Sequence, residues 1–190
     1  MGFLATMISR TICIVLTAII SFAAEAQTLK KYDLFQIEDN DIVWRNTYAF
    51  EGPAEDLRPL VVQMLKSKFF TFNVVRNEAG YIGEIQHYKV DCKRYGRSYI
   101  NTPRMYWDGE WTGKFVVKIL PDRYEAMIYA LYAEKIEQNV GYYKGEKSVS
   151  GRYIDIVTKK GKGFRKSEFG NMDLLSLSLK DSFDISAKGD

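Results

Sequence analysis

Apolar and polar residues alternate regularly between Trp111 and Ile136, where two apolar runs meet at Pro121-Asp122. The first run has the period of two that is typical of a strand with one buried face. The second run is ambiguous, because Asp122 and Glu125 imitate a capped helix start while its even-numbered apolar residues also share one face of a strand. The pattern alone leaves both a helix and a strand open for the second run.

A strand and a helix are predicted ahead of this stretch. Residues Asp41–Phe50 alternate, and the face that holds Trp44 and Tyr48 is the more apolar, so we expect it to be buried. Gly52-Pro53 ends the strand, and apolar residues then recur at the spacing that predicts a helix over 55–68. This stripe consists of Leu57, Leu60, Val61, Met64 and Leu65.

Two further strands and a long loop are predicted between the helix and the central stretch. The β-type residues of Phe69–Val75 and Tyr81–Cys92 indicate strands, joined by a turn at Asn77–Gly80. Residues 93–110 are rich in Arg, Tyr and Gly and contain Pro103, which indicates a loop or a loose edge hairpin.

The C-terminal part is less clearly patterned. Asn139–Gly151 has the Gly, Lys and Ser content of a connecting loop, and a short apolar piece follows at 153–157. From Asn171 to Ile185 the spacing fits a helix capped by Asn171, but the odd-numbered apolar residues also fit a strand. The pattern alone leaves both structures open here as well.

The N-terminal segment has the features of a secretory signal peptide. An apolar run from Thr11 to Ala24 follows Arg10 and ends in the small-x-small pattern Ala24-Glu25-Ala26. The run is shorter than the roughly 20 residues of a membrane-spanning helix. We therefore predict that residues 1–26 are cleaved, that no transmembrane segment remains, and that the mature protein is periplasmic or extracellular.

The length and charge that remain after cleavage indicate one domain of ordinary size. We expect a loose lead-in at 27–40, a single domain over 41–186 and a short tail at 187–190. The formal net charge of +3 is too small to indicate a polyanionic partner, although basic residues concentrate in 144–166. Nucleic acid is therefore not an expected partner.

The sequence is poor in residues for catalysis or metal binding. His87 is the only histidine, and no nucleophile elbow, P-loop or metal-type His/Cys cluster occurs. His87 and Cys92 are predicted to face opposite sides of one strand, whereas His87 and Asp91 share a face. We predict no catalytic residue, no metal site and no cofactor, so an enzyme is not the favoured class.

Five segments of the sequence carry a resemblance to a known family: IVWRNTYAFEG, EDLRPLVVQML, NEAGYIGEI, GKFVVKILPDRYEAMIYAL and GKGFRK. Together they resemble a family of small secreted proteins of Gram-negative bacteria, a domain of unknown function with a fold like that of the TATA-binding protein. The resemblance covers about residues 41–186. It implies an α+β fold, a curved antiparallel sheet with two helices on one face, in the order strand, helix, strands, helix.

The resemblance also implies that the second run of the central stretch is a strand and that 171–186 is a helix. The stretch 95–111 departs from the family by its length and by its Tyr and Trp content. The family brings no known activity, and likeness to a DNA-binding fold does not transfer a function.

Two surfaces are candidate binding sites. In the predicted loop, aromatic rings could stack on a ligand and guanidinium groups could pair with anions. The residues concerned are Arg94, Arg97, Tyr99, Arg104, Tyr106 and Trp107. If the second run is a strand, Met127, Tyr129 and Leu131 lie together on its outer side, and such an apolar side is either covered or binds a partner.

The predicted function is that of a non-enzymatic binding or interaction module outside the cytoplasm. The sequence does not identify the partner; an envelope protein and a glycan are the two candidates. The alternatives are a small hydrolase or transferase that uses His87 with a distant partner residue, and a structural component of an envelope assembly.

Overall fold

The structure is a computed structural model that describes residues 30–68, 75–77, 80–139, 146–159 and 163–186. The predicted signal peptide, the predicted tail and most of the predicted strand at 69–75 lie outside these residues. None of the helices in the described part of the chain is long and apolar enough to cross a membrane.

The described residues form eight strands and four α-helices. In order, they are β1 (Lys31–Tyr32), β2 (Phe35–Glu38), β3 (Asp41–Ala49), α1 (Ala54–Lys68), β4 (Val75–Asn77), β5 (Gly80–Tyr88), α2 (Arg104–Trp107), β6 (Glu110–Ile119), β7 (Arg123–Asn139), β8 (Glu146–Arg152), α3 (Tyr153–Val157) and α4 (Phe169–Ser182). A short 3-10 helix at Lys166–Glu168 leads into α4.

The strands form one open antiparallel sheet in the order β1-β2-β3-β7-β6-β5-β4. The long strand β7 pairs with β6 along one side, while on its other side it pairs first with β3 and then with β8. Both runs of the central stretch are therefore strands of one hairpin. The predicted α+β class, with an antiparallel sheet and helices packed on one face, is confirmed.

The core lies between the helices and one face of the sheet. Trp44, Phe115 and Ile128, from three adjacent strands, are fully buried on this face. The apolar stripe of α1 joins the same cluster through Leu57 and Leu65. Full burial of a side chain of this size contributes about 1.5–3 kcal/mol, so these residues are the main source of stability.

Helix α4 is also held to the sheet by hydrogen bonds from aromatic side chains. The indole N–H of Trp44 donates to Ser176 Oγ at 3.3 Å, and the hydroxyl of Tyr48 donates to the carbonyl of Lys180 at 2.8 Å. These bonds satisfy polar atoms that would otherwise be costly to bury. They also set the position of the helix along the strands.

Three segments differ from their predictions. Residues 31–38 of the predicted lead-in form β1 and β2, and Phe35 there is fully buried. Glu146–Arg152 is a strand instead of a connecting loop, because β7 extends far enough to pair with it. Helix α4 begins before the predicted cap at Asn171, so this residue lies inside its first turn.

The predicted stripe of α1 is correct except at Leu60. This side chain is 41% exposed, whereas Leu57, Val61, Met64 and Leu65 are buried. The stripe that contacts the sheet is thus narrower than the spacing predicted.

Candidate binding surface

The face of the sheet opposite the helices carries a row of apolar side chains across three strands. Ile82 of β5 pairs with Val116 of β6, and Val116 pairs with Met127 of β7. Ile82 is 39% exposed, and the other two side chains are half-buried. Side chains directly opposite each other on adjacent strands are close neighbours, so these three form one continuous apolar stripe, called here the open-face stripe.

Charged side chains lie on both sides of the open-face stripe. On one side Lys118 pairs with Glu125, and on the other Glu84 pairs with Lys114. The stripe is therefore flanked by charges of both signs. A groove of about 240 Å³ covers part of it. The lining residues are Arg45, Asn46, Thr47, Val116, Lys118, Glu125, Ala126 and Met127.

Arg45 lies at the β3 end of the stripe, directly opposite Met127. Its guanidinium donates two hydrogen bonds to the carboxylate of Glu38, one of them at 2.7 Å between Nη2 and Oε2. Hydrogen bonding to Arg45 lowers the pKa of Glu38. Because both side chains are partly exposed, the pair contributes little stability and serves mainly to orient the guanidinium.

A β-bulge in β7 separates the predicted outer-side residues Met127, Tyr129 and Leu131. Between Tyr129 and Tyr132, β7 has one residue more than the facing part of β6, and Ala130 there has a φ of 53°. The extra residue reverses the alternation of faces. Met127 and Tyr129 stay on the open face, but Leu131 is 2% exposed in the core. The prediction for Leu131 is therefore wrong.

The predicted recognition loop packs against the end and the start of helix α4. Arg94 Nη2 lies 3.3 Å from Asp181 Oδ2, and Arg97 Nη2 donates to the carbonyl of Gly170 at 2.6 Å. Both arginines thus attach the loop to the helix. Their guanidinium groups already have partners within the chain.

Tyr106 is a core residue and not the surface ring that the sequence predicted. It is fully buried, with its ring centroid 5.4 Å from that of Trp111. Its carbonyl accepts a hydrogen bond from the Cys92 thiol at 3.1 Å. Burial raises the pKa of Cys92, which keeps this thiol protonated and unreactive.

The remaining loop candidates come together at its tip. The Arg104 guanidinium carbon lies 5.5 Å from the ring centroid of Tyr99, and Tyr99 meets Trp107 edge to face at 5.8 Å. Ile100, which the sequence did not single out, is 96% exposed beside them. The tip is thus an exposed apolar and aromatic feature, separate from the open-face stripe.

A second β-bulge, in β5, sets the position of His87. The pairing with β6 shifts after Ile85, and His87 has a φ of 54°. Strand β5 ends at Tyr88, so His87 and Asp91 do not share a strand face as predicted. Instead, His87 Nδ1 lies 2.7 Å from Glu110 Oε2.

Glu110 also has a second carboxylate opposite it. It is the direct cross-strand partner of Glu134, and Lys89 Nζ lies 3.2 Å from its Oε1. Hydrogen bonds from His87 and Lys89 lower the pKa of Glu110. This group of side chains lies at the end of the open face, beside a cavity of about 360 Å³ that His87 and Glu134 help to line.

Of the open-face stripe, sequence reasoning identified Met127 but neither Ile82 nor Val116, and it also missed Glu110 and Glu134. Val116 did carry a signal, because it is an apolar residue between Lys114 and Lys118 on the polar side of an alternating strand. No such sequence signal marks Ile82, Glu110 or Glu134, because their roles depend on the register in which the strands pair.

The comparisons with protein-family models and with curated proteins gave no match. Among solved structures, a TBP-like protein from Parabacteroides distasonis is similar at 10% identity, with a TM-score of 0.48 over 83% of this chain and 100% of that chain. A DUF4468 family protein from Bacteroides ovatus is similar at 9% identity, with a TM-score of 0.45 over 86% of this chain and 98% of that chain. The first neighbour is described by the same type of fold as the family that the sequence resembles. At this level of likeness we base no conclusion about function on them.

Proposed function

We propose that this protein is an exported, non-enzymatic binding module whose working surface is the open face of the sheet. One observation carries the proposal: the open-face stripe of Ile82, Val116 and Met127 lies on the face that the helices leave uncovered. Contact between a continuous apolar stripe and water is unfavourable, and such a stripe on an exposed sheet face is typical of an interaction surface.

The chemistry of the stripe favours a polypeptide partner. Apolar side chains of a partner segment would lie along the stripe, while Lys118 and Glu125 on one flank and Glu84 and Lys114 on the other would pair with its polar groups. Such an apolar centre with a charged rim is the usual composition of a protein interface. The partner class is therefore a protein of the cell envelope that presents an apolar segment with charges of both signs beside it.

Site-specific photo-crosslinking in cells tests the surface. A photoreactive phenylalanine analogue placed at Met127 should crosslink to another polypeptide, and Met127→Glu should weaken the captured complex at least about tenfold by placing a charge in an apolar contact. The same analogue at Ile100, on the loop tip, is the matched control and should give no such product.

Each other result contradicts the proposal. A product from Ile100 but not from Met127 would assign recognition to the loop. A crosslinked mass with sugar and no polypeptide would indicate a glycan, and one made only of this chain would indicate self-association. A fixed-stoichiometry complex that persists in Met127→Glu would favour the structural role in an assembly.

Export is tested separately from binding. The proposed signal at 1–26 requires that protein recovered from the envelope or the medium begins at Gln27, which intact mass spectrometry measures. Protein found in the cytoplasm with an intact Met1 N-terminus would contradict export while leaving the open-face stripe untested by that experiment.

The enzymatic alternative depends on His87, whose ring is hydrogen-bonded to Glu110. The Cys92 thiol is bonded to the Tyr106 carbonyl instead, so these two residues form no nucleophile–base pair. Loss of a measured turnover in His87→Ala, with folding kept, would favour the enzyme over the binding module.

A further inference from the structure

Three potential metal ligands converge at the end of the open face, from three different strands. His87 of β5, Glu110 of β6 and Glu134 of β7 each offer one donor atom, and these atoms all lie within 4.8 Å of one another. From this geometry we infer that His87, Glu110 and Glu134 form a binding site for a divalent transition-metal ion such as Zn²⁺. This site is distinct from the open-face stripe and does not depend on the proposed function.

The two β-bulges bring these ligands together. Without the extra residue in β7, Glu134 would follow the alternation of Ile128 and point into the core, but the bulge turns it to the open face. In β5 the bulge between Ile85 and Tyr88 places His87 on the same face. Both bulges lie opposite the same short part of β6, just after Glu110.

The pairing of two carboxylates also favours a bound cation. Glu110 and Glu134 are directly opposite each other on adjacent strands, where like charges are destabilising. Lys89 and His87 contact Glu110. Among the described residues, Glu134 forms no ion pair, so a cation shared by both carboxylates would remove the repulsion.

The donor set indicates the class of metal. An imidazole nitrogen suits zinc and other first-row transition metals, whereas calcium and magnesium prefer oxygen ligands alone. Zinc bonds of about 2.0–2.1 Å in a tetrahedral site place the ligand atoms about 3.3 Å apart. The donor atoms lie within 4.8 Å of one another, and the closest pair, His87 Nδ1 and Glu110 Oε2, is 2.7 Å apart. The side chain of His87 is 67% exposed, so it can move to bring these distances toward the spacing that zinc requires. Three protein ligands would leave one position for water.

Lys89 would compete with the metal. Its ammonium lies 3.2 Å from Glu110 Oε1, and 64% of the side chain is exposed. A metal ion on Glu110 must therefore displace or repel this charge. It follows that Lys89→Gln should bind the metal more tightly than the wild type does, an effect that a merely structural ion-pair cluster would not produce.

Calorimetric titration of the untagged mature chain with zinc chloride tests the site. We expect one zinc ion per chain, with affinity lowered about tenfold or more in His87→Gln and in Glu134→Gln, the size of loss that follows when metal-site partners are removed. Glu84→Gln is the matched control, because Glu84 lines the same cavity but is not one of the three ligands. It should retain the wild-type affinity within about twofold.

Nuclear magnetic resonance gives an independent readout, because His87 is the only histidine in the chain. Its imidazole signals should shift on addition of one equivalent of zinc chloride and stay unchanged with magnesium chloride. Zinc should also raise the melting temperature of the wild type but not that of Glu134→Gln, whose metal-free form should melt higher than the metal-free wild type.

Several outcomes would overturn the inference. They are the absence of stoichiometric zinc binding, wild-type affinity in both His87→Gln and Glu134→Gln, or equal binding of magnesium and zinc. Zinc binding that Glu84→Gln weakens as much as Glu134→Gln does would indicate non-specific attraction to acidic groups. Glu134 is half-buried and pairs directly with Glu110 of β6, whereas the pairing of β7 with β8 shifts just after Ala133. Because glutamine keeps the size of the side chain, the Glu134→Gln variant is expected to fold even if a change at His87 perturbs the bulge in β5.

Discussion

Ile128 and Leu131 both point into the core from the same strand, although they are three positions apart and a regular strand would place them on opposite faces. Ile128 is fully buried and Leu131 is 2% exposed. Ala130 lies between them with a φ of 53°, and its N–H donates to Asp41 Oδ2 at 2.7 Å. The side chain of Asp41 thus stabilises the bulge that changes the direction of β7.

Ala130→Gly should stabilise the protein. A residue with a Cβ in the left-handed region costs about 1–2 kcal/mol, whereas glycine there costs only its extra chain entropy of about 0.5–1 kcal/mol. The expected gain in the free energy of unfolding is therefore up to about 1.5 kcal/mol. Urea denaturation measures it.

The matched control is Ala126→Gly, a substitution at a buried position of the same strand outside the bulge. It should lower the free energy of unfolding by about 0.5–1 kcal/mol, because glycine weakens a regular strand. If both substitutions destabilise equally, Ala130 is not the strained position.

The bulges also explain which parts of the fold could be predicted. The alternation in the first run and the turn at Pro121-Asp122 were sufficient for the first strand and its end. The second run remained open, because its pattern fits helix and strand until β3 and β6 are paired on either side of it. Leu131 was misplaced because a bulge adds one residue without any change in the local pattern.

The candidate sites were harder to predict because they depend on strand register. His87 and Glu110 lie far apart in sequence, and Glu110 meets Glu134 only through the pairing of β6 with β7. In the loop, arginine and aromatic residues gave a clear compositional signal. Composition could not distinguish Tyr106 in the core from Tyr99 at the surface, since burial depends on tertiary packing.

Substitutions at the base and at the tip of the loop should differ strongly in their effect on stability. Tyr106→Ala should lower the free energy of unfolding by about 3–5 kcal/mol, as large-to-small changes in aromatic core residues do. Its ring is fully buried against Trp111 and Tyr153. Ile100→Ser should change it by no more than about 0.5 kcal/mol, because Ile100 is 96% exposed.

Urea denaturation of both variants checks this difference. Ile100→Ser serves as the control for changes in the same loop that remove no buried contact. A stability loss in Ile100→Ser comparable to that in Tyr106→Ala would mean that the tip is packed against another part of the chain.

Alkaline pH should destabilise the fold through buried tyrosines, and Tyr88 allows a direct test. Burial raises the pKa of Tyr88 to about 12, while its hydroxyl remains hydrogen-bonded to Ser178 Oγ at 2.5 Å and to Ser182 Oγ at 3.1 Å. An unfolded tyrosine loses its proton near a pKa of about 10. Between these values the folded state binds more protons than the unfolded state, so stability is fully present below about pH 10 and falls as the pH rises toward about 12. The contribution of Tyr88 to this fall is on the order of 2 kcal/mol.

Urea midpoints at pH 8 and pH 11 should therefore differ less in Tyr88→Phe than in the wild type. Ser182→Ala keeps the phenol but removes a hydrogen bond that lowers the pKa of Tyr88, so its stability should fall with pH at least as steeply as that of the wild type. An unchanged pH dependence in Tyr88→Phe would show that Tyr88 does not contribute to alkaline unfolding.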